Sequence, residues 1–374
     1  MTLKEEFIKL GYTEEDYEII RNNYAVNQIK DETLIKKLKD NFAFLLKIGY
    51  TKEEVIKMTK SFPPIYGLSI ENMKQKIEDI ISLGYTKEEV IKMTKVLPSI
   101  YGFSIESMKQ KIENIISLGY TKEEVVKMTK ILPSIYSLSI ESMKQKIDDM
   151  ITLGYTKEEV IKMTKSSPSI YSCSIENIKQ KIEDMITLGY TKEEIIKMTK
   201  SLPSIYSYSI ENMKQKIEDI ISLGYTKEEV IKMTKSLPSV YGYSIENIKQ
   251  KIEDMVTLGY TKEEVIRMTK SFTPIYGLSI ENMKQKIEFY DSIDMHELAV
   301  INPKQLMQSV NLSYARYSFY KDRGIDIDMN NYRKLFVGQK DFEKAYRITK
   351  KELLEKYDYN KYKEEKEKEN GRII

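Results

Sequence analysis

The chain has 374 residues, 41% apolar and 31% charged, and 60 Lys+Arg stand against 57 Asp+Glu for a net charge of +3. It is long enough for two or three globular domains, and its near-neutral charge excludes the strong overall basic field of many nucleic-acid binders, so any basic face must come from how charges are sorted. The single cysteine, Cys173, excludes an intrachain disulfide, and no apolar run approaches the roughly 18 residues of a membrane span.

Residues 1–48 read as a degenerate N-terminal capping repeat. The opening Met1-Thr2-Leu3-Lys4-Glu5-Glu6 is neither a secretory signal nor an Arg-rich transit peptide. An intracellular home is expected, in a bacterial cytoplasm or an organelle matrix. Leu10-Gly11-Tyr12-Thr13-Glu14-Glu15 opens this unit 38 residues before Gly49, and Ile35, Leu38, Phe42, Leu45 and Leu46 form an apolar helical stripe.

Residues 49–288 hold seven near-identical 35-residue units, opening at Gly49, Gly84, Gly119, Gly154, Gly189, Gly224 and Gly259. A fixed period of this size predicts a solenoid. In the first copy Thr51-Lys52-Glu53-Glu54 is a capping box that starts a helix A, with Val55, Ile56, Met58 and Thr59 on one side and Glu53, Lys57 and Lys60 opposite. Pro63 ends it, because proline restricts the preceding residue and cannot donate. Past a corner that has room for a short 3₁₀ turn, Ser69 caps helix B, whose stripe is Ile70, Met73, Ile77, Ile80 and Ile81. Gly84 then supplies the left-handed position that closes helix B. Cys173 takes a slot held elsewhere by Leu68, Leu138 or Tyr208 and reads as a core filler.

Residues 289–349 read as a degenerate C-terminal capping repeat. Its helix A is shortened, but Pro303 to Gly324 keeps the spacing of Pro63 to Gly84, with Tyr317 and Tyr320 on the stripe, and Phe336 to Tyr357 reads as one or two closing helices. Residues 350–374 form a Lys/Glu-rich tail, in which Lys361 to Asn370 is expected to be a frayed helix or disordered. The predicted fold is all-α: a helical-repeat solenoid of helix, proline corner, helix.

The order Ser-x-Glu-Asn-Met-Lys-Gln-Lys-Ile, then Leu-Gly-Tyr-Thr-Lys-Glu-Glu-Val, then Pro, as in Ser69 to Pro98, resembles the repeat of the mitochondrial transcription termination factor (mTERF) family. The resemblance covers about residues 5–350 and includes the terminal Tyr314-Ala315-Arg316-Tyr317. It implies a left-handed superhelix whose concave groove binds nucleic acid, in a family that acts in organellar transcription, termination, RNA maturation or ribosome biogenesis.

The candidate phosphate contacts are cations. Lys57 has Glu53 four residues before it, and Lys74 lies between Glu71 and Glu78, so both read as self-paired. Lys76 borders the stripe, has only Asp79 as a local partner, and matches the family's basic position. Its row is Lys76, Lys111, Lys146, Lys181, Lys216, Lys251 and Lys286, continued by Arg316. A secondary row is Lys60, Lys95, Lys130, Lys165, Lys200, Lys235 and Lys270. Such rows hold phosphates without reading bases, and the exchange of Asn72 for Ser107 and Ser142 is too sparse for a base code, so weak sequence preference is expected. The tyrosine rows of Tyr50 and Tyr66 read as packing residues with the hydroxyl at the edge. With one histidine, no Cys/His cluster and no Gly-rich phosphate loop, no enzyme, metal or cofactor is expected. The expected function is nucleic-acid binding by a monomer, double-stranded DNA before RNA, without membrane association. The alternative is a protein-binding scaffold.

Overall fold

The computed structural model describes residues 2–370 and is built from helices, with no strand among those residues. It divides into two compact units: residues up to Glu183 with Leu202–Tyr206, and Asp184–Ser201 with the residues from Ser207 onward. In the first unit, the helices Leu3–Leu10, Glu14–Arg21, Tyr24–Asn27 and Asp31–Ile48 precede the regular repeats.

The first regular repeat shows how local chemistry sets each boundary. Thr51 Oγ1 accepts from the Glu54 amide at 3.2 Å while Glu54 accepts from the Thr51 amide at 2.8 Å, starting helix A, Lys52–Ser61. Phe62 leaves the helical region at φ −138°, and Pro63 opens a 3₁₀ turn, Pro63–Gly67. Ser69 accepts from the Asn72 amide at 3.0 Å and starts helix B, Ile70–Ser82. At Gly84 φ is +112°, a conformation that costs a residue with a Cβ about 1–2 kcal/mol. In the next two copies the pattern recurs as Lys87–Val96, Pro98–Gly102 and Ile105–Ile116, then Lys122–Ile131, Pro133–Ser137 and Ile140–Leu153. The second unit repeats it through Lys262–Ser271, Thr273–Gly277 and Ile280–Asp291, the last with threonine in place of the first proline.

Helix A buries Val55, Met58 and Thr59, and helix B buries Met73, Ile77 and Ile80. Each such aliphatic side chain contributes about 1.5–3 kcal/mol. The apolar stripe is narrower than the sequence suggests. Ile81 is 37% exposed and Ile70 half-buried, because at about 100° per residue both lie well to one side of the arc centred on Met73, Ile77 and Ile80. Lys76 lies at the opposite edge of that arc. In the capping unit Leu34, Leu38, Phe42 and Leu45 are buried, whereas Ile35 is half-buried and Leu46 exposed. Cys173 is half-buried.

Neighbouring repeats are joined by a buried chain of hydroxyls. Thr129 Oγ1 donates to the Val125 carbonyl at 2.9 Å, so it must accept from Tyr85, at 2.5 Å, and Tyr85 in turn accepts from Tyr136 at 2.7 Å. Tyr85 belongs to one copy, and Thr129 and Tyr136 to the next. Tyr12, Thr59 and Tyr66 repeat the arrangement at the N-terminus, and Tyr225, Thr269 and Tyr276 in the second unit. Both tyrosine rows are therefore packing residues with satisfied hydroxyls.

The C-terminal helix A is reduced to Leu298–Ile301, followed by the corner Pro303–Met307 and helix Val310–Lys321. Beyond them lie a further 3₁₀ corner, Tyr332–Phe336, and the helices Gln339–Tyr346, Lys350–Lys356 and Tyr359–Asn370. Leu353 is buried, and Tyr357 donates to Asp322 at 2.6 Å, which holds the start of the Lys/Glu-rich segment against the body.

Thr129→Val keeps the shape but removes the hydroxyl that Tyr85 needs, and should cost about 1–3 kcal/mol by urea denaturation. Burial raises the phenol pKa along both rows, that of Tyr12 to about 12. A group whose folded pKa is raised stabilises fully below its unfolded value, and that contribution is lost as pH rises through the folded value. The unfolding midpoint should therefore fall above about pH 10, in step with tyrosinate absorbance.

Candidate nucleic-acid interface

Both predicted cation rows lie where one repeat meets the next. Lys216 donates to the Tyr243 carbonyl at 2.5 Å and Lys251 to that of Leu278 at 2.6 Å. Lys76, Lys111 and Lys146 make the same bond to Phe103, Leu138 and Cys173, and Lys286 reaches Leu306. In the regular copies the acceptor is the residue joining the corner to helix B of the following repeat. Lys181 occupies the equivalent half-buried place on Ile175–Leu188.

Arg316 makes the same clamp in the terminal copy. It donates to Val337 at 2.7 Å and Leu335 at 2.9 Å, bonds Gln339, and lies 4.7 Å from the centre of the Phe342 ring. It is 1% exposed, so the expectation that it meets a phosphate is corrected: its guanidinium is spent holding the Tyr332–Phe336 corner and the helix after it. Sequence reasoning missed this degenerate corner because it has Tyr332 where most corners open on proline and Leu335 where the regular copies carry their tyrosine.

The secondary row is neutralised. Lys95 pairs with Glu54 at 2.8 Å, Lys130 with Glu89 at 2.7 Å and Lys165 with Glu124 at 2.6 Å. Lys60 pairs with Asp16 at 2.7 Å, and in the second unit Lys235 pairs with Glu194 at 2.7 Å and Lys270 with Glu229 at 2.8 Å. Lys200 holds the same place on Lys192–Ser201. Each of these glutamates also caps its own helix, so one carboxylate fixes both a helix start and a repeat junction. The ammoniums of Lys95, Lys130 and Lys270 also stand over the rings of Tyr50, Tyr85 and Tyr225.

The Lys76 row is electrically different. Among the described residues, no carboxylate lies within ion-pair distance of Lys76, Lys111, Lys146, Lys216, Lys251 or Lys286, and their bonded partners are neutral carbonyls. Burial pushes the ammoniums of Lys111, Lys146, Lys251 and Lys286 below the ordinary lysine range. A third row, Lys57, Lys92, Lys127 and Lys162 in the first unit, is exposed and outside ion-pair distance of any described carboxylate. The glutamate four residues earlier suggested self-pairing, but Glu53 turns back to its own helix start and Thr51, while the capping Glu54 reaches Lys95 of the next repeat.

These features define an all-helical repeat protein whose copies are clamped by cations at fixed places. The family model described as mTERF matches residues 29–117, 114–222, 150–257 and 218–326, overlapping stretches that together run from 29 to 326. The chain belongs to the mTERF family. No curated protein matches it.

The glutamates of the junction pairs, Glu54, Glu89, Glu124, Glu194 and Glu229, are held below the usual carboxylate range, first by their lysine partners and then by the cap amides. A depressed folded pKa means stability that is present above the unfolded value and lost as pH falls through the folded one. The urea midpoint should therefore drop below about pH 4.5. A Lys95→Met, Lys130→Met, Lys165→Met variant should show a shallower acid dependence than wild type.

Proposed function

We propose that the protein is a non-enzymatic binder of nucleic-acid backbone that acts in transcription, its termination or RNA handling, with duplex DNA as the first ligand and RNA as the second. The observation that carries the reading is a set of six half-buried or buried cations, Lys76, Lys111, Lys146, Lys216, Lys251 and Lys286, at equivalent places in their copies and with no described carboxylate within ion-pair distance. An unpaired cation removed from water is costly, and a phosphate oxygen is the partner that would offset the cost. An ammonium has three N–H donors and the junction carbonyl takes one, so the others remain for an anion. The exposed Lys57 row would add long-range attraction.

A second reading, a protein-binding scaffold, is favoured by a different row. Leu46, Ile81, Ile116 and Ile151 in the first unit are 37–41% exposed at the same place on successive copies. Such a stripe suits an apolar partner surface.

The test is fluorescence anisotropy with labelled duplex DNA, single-stranded DNA and RNA across a salt series. Wild type should lose affinity steeply with salt, and Lys76→Gln, Lys111→Gln, Lys146→Gln, which keeps a donor for each carbonyl, should lower the log–log slope by about 0.9 per phosphate lost. An unchanged slope in a variant that keeps its helical circular dichroism would reduce the row to a structural clamp. Binding that wild type retains undiminished at high salt would remove the backbone reading and leave the scaffold.

A further inference from the structure

The seven copies are so alike that their few differences stand out around the corner. At the place of Leu68 stand Phe103, Leu138, Cys173, Tyr208, Tyr243 and Leu278. Only the copies with Tyr208 and Tyr243 combine a tyrosine there with an asparagine four residues on, Asn212 and Asn247, and a glycine in the following corner, Gly242 and Gly277. These residues all belong to the second unit.

The structure explains the pairing with glycine. A Cβ on Gly242 would lie 3.0 Å from the Tyr208 hydroxyl oxygen, and one on Gly277 would lie 3.3 Å from that of Tyr243. Each tyrosine thus extends across its junction over the bare backbone of the next corner. In the first unit, the copies with Phe103 and Leu138 are followed by serine at the equivalent corner position, Ser137 and Ser172, and the copy with Leu68 by Gly102.

Beside Tyr243 an open cavity of about 420 Å³ is lined by Tyr243, Asn247, Gln250, Lys251, Asp254 and Gly277, among others, and Gln250 donates to the Asp254 carboxylate at 2.8 Å. That size lies within the range of small-ligand sites. Tyr243 is half-buried, whereas Tyr276, of the packing row, is buried with its hydroxyl engaged by Tyr225. Asn247 is exposed and offers an amide with both donors and an acceptor. Lys251 forms part of the wall, bonded to the Leu278 carbonyl, with the Asp254 carboxylate nearby but beyond ion-pair distance. The lining therefore brings together an aromatic face, an amide and an ammonium outside any ion pair, groups that suit the face of a base, its hydrogen-bonding edge and its phosphate, with the Gln250-bonded Asp254 carboxylate also in the wall.

The geometry points to two nucleobase slots, one at Tyr243, Asn247 and Gly277 and its counterpart at Tyr208, Asn212 and Gly242, that take unpaired bases of a single strand. This rests on the nucleic-acid reading above and deepens it: the copies with Leu68, Leu138 and Cys173 hold backbone alone, and these two add stacking. Duplex DNA, with its bases already stacked, gains nothing from the slots.

The repeat supplies its own conservative control, since Leu68, Leu138 and Leu278 occupy the same place in copies that fold. Tyr208→Leu, Tyr243→Leu and Tyr208→Phe, Tyr243→Phe would be compared with wild type by anisotropy on single-stranded DNA of about 16 nucleotides and on duplex DNA of equal length, with thermal unfolding as the check on the fold. The leucine variant should lose about tenfold or more in single-strand affinity, by the usual worth of base–aromatic stacking, with duplex affinity unchanged. The phenylalanine variant should retain single-strand binding. Equal single-strand affinity in the leucine variant and wild type would overturn the slots while leaving the backbone reading in place, as would an equal loss on both ligands. Failure of wild type to bind either nucleic acid would overturn both.

Discussion

Each repeat of this chain leaves polar groups at its edge that only the next repeat can satisfy, and the hydroxyl relay from corner tyrosine to loop tyrosine to helix A threonine is the junction on which the rest depends. Its direction is fixed by one bond: Thr129 gives its proton to the Val125 carbonyl, so every hydroxyl upstream must point toward it. A buried network of this kind is strong when complete and costly when broken. It sets the register of one copy on the next, which apolar packing of near-identical isoleucines, valines and methionines would leave loosely specified.

Two further bonds share that junction and divide the lysines into different electrostatic classes. Lys95 and its equivalents meet a carboxylate that is already capping a helix, and the charges cancel. Lys76, Lys111, Lys146, Lys216 and Lys251 meet a carbonyl that stays neutral, leaving a positive charge at the joint. Near-zero net charge for the whole chain thus coexists with these five lysines, which have no described carboxylate within ion-pair distance. The same clamp in its terminal form, Arg316 on the Tyr332–Phe336 corner, is complete and buried, which makes it part of the cap.

Much of the fold was legible in the sequence because its signals are local. Thr51 with Glu54, Pro63, Ser69 and Gly84 each fix a boundary through their own backbone chemistry, and the period repeats them without drift. The candidate site was legible only as positions. That Lys76 differs from Lys57 and Lys74 could be read from its place on the helical wheel, but its carbonyl partner lies 27 residues away in the next copy. Lys57 was misread because the glutamates near it in sequence cap their helix or turn to a neighbouring repeat.

By itself the sequence determined the repeat, its two helices, the corner between them and the apolar arc that makes stacking obligatory, since these follow from dihedral preferences and periodicity within one copy. Only the tertiary structure decided which lysines are neutralised, that Ile81 stays exposed and that Tyr243 crosses to Gly277. Those outcomes depend on the offset between consecutive repeats, and that offset is set by hydrogen bonds and packing between residues far apart along the chain.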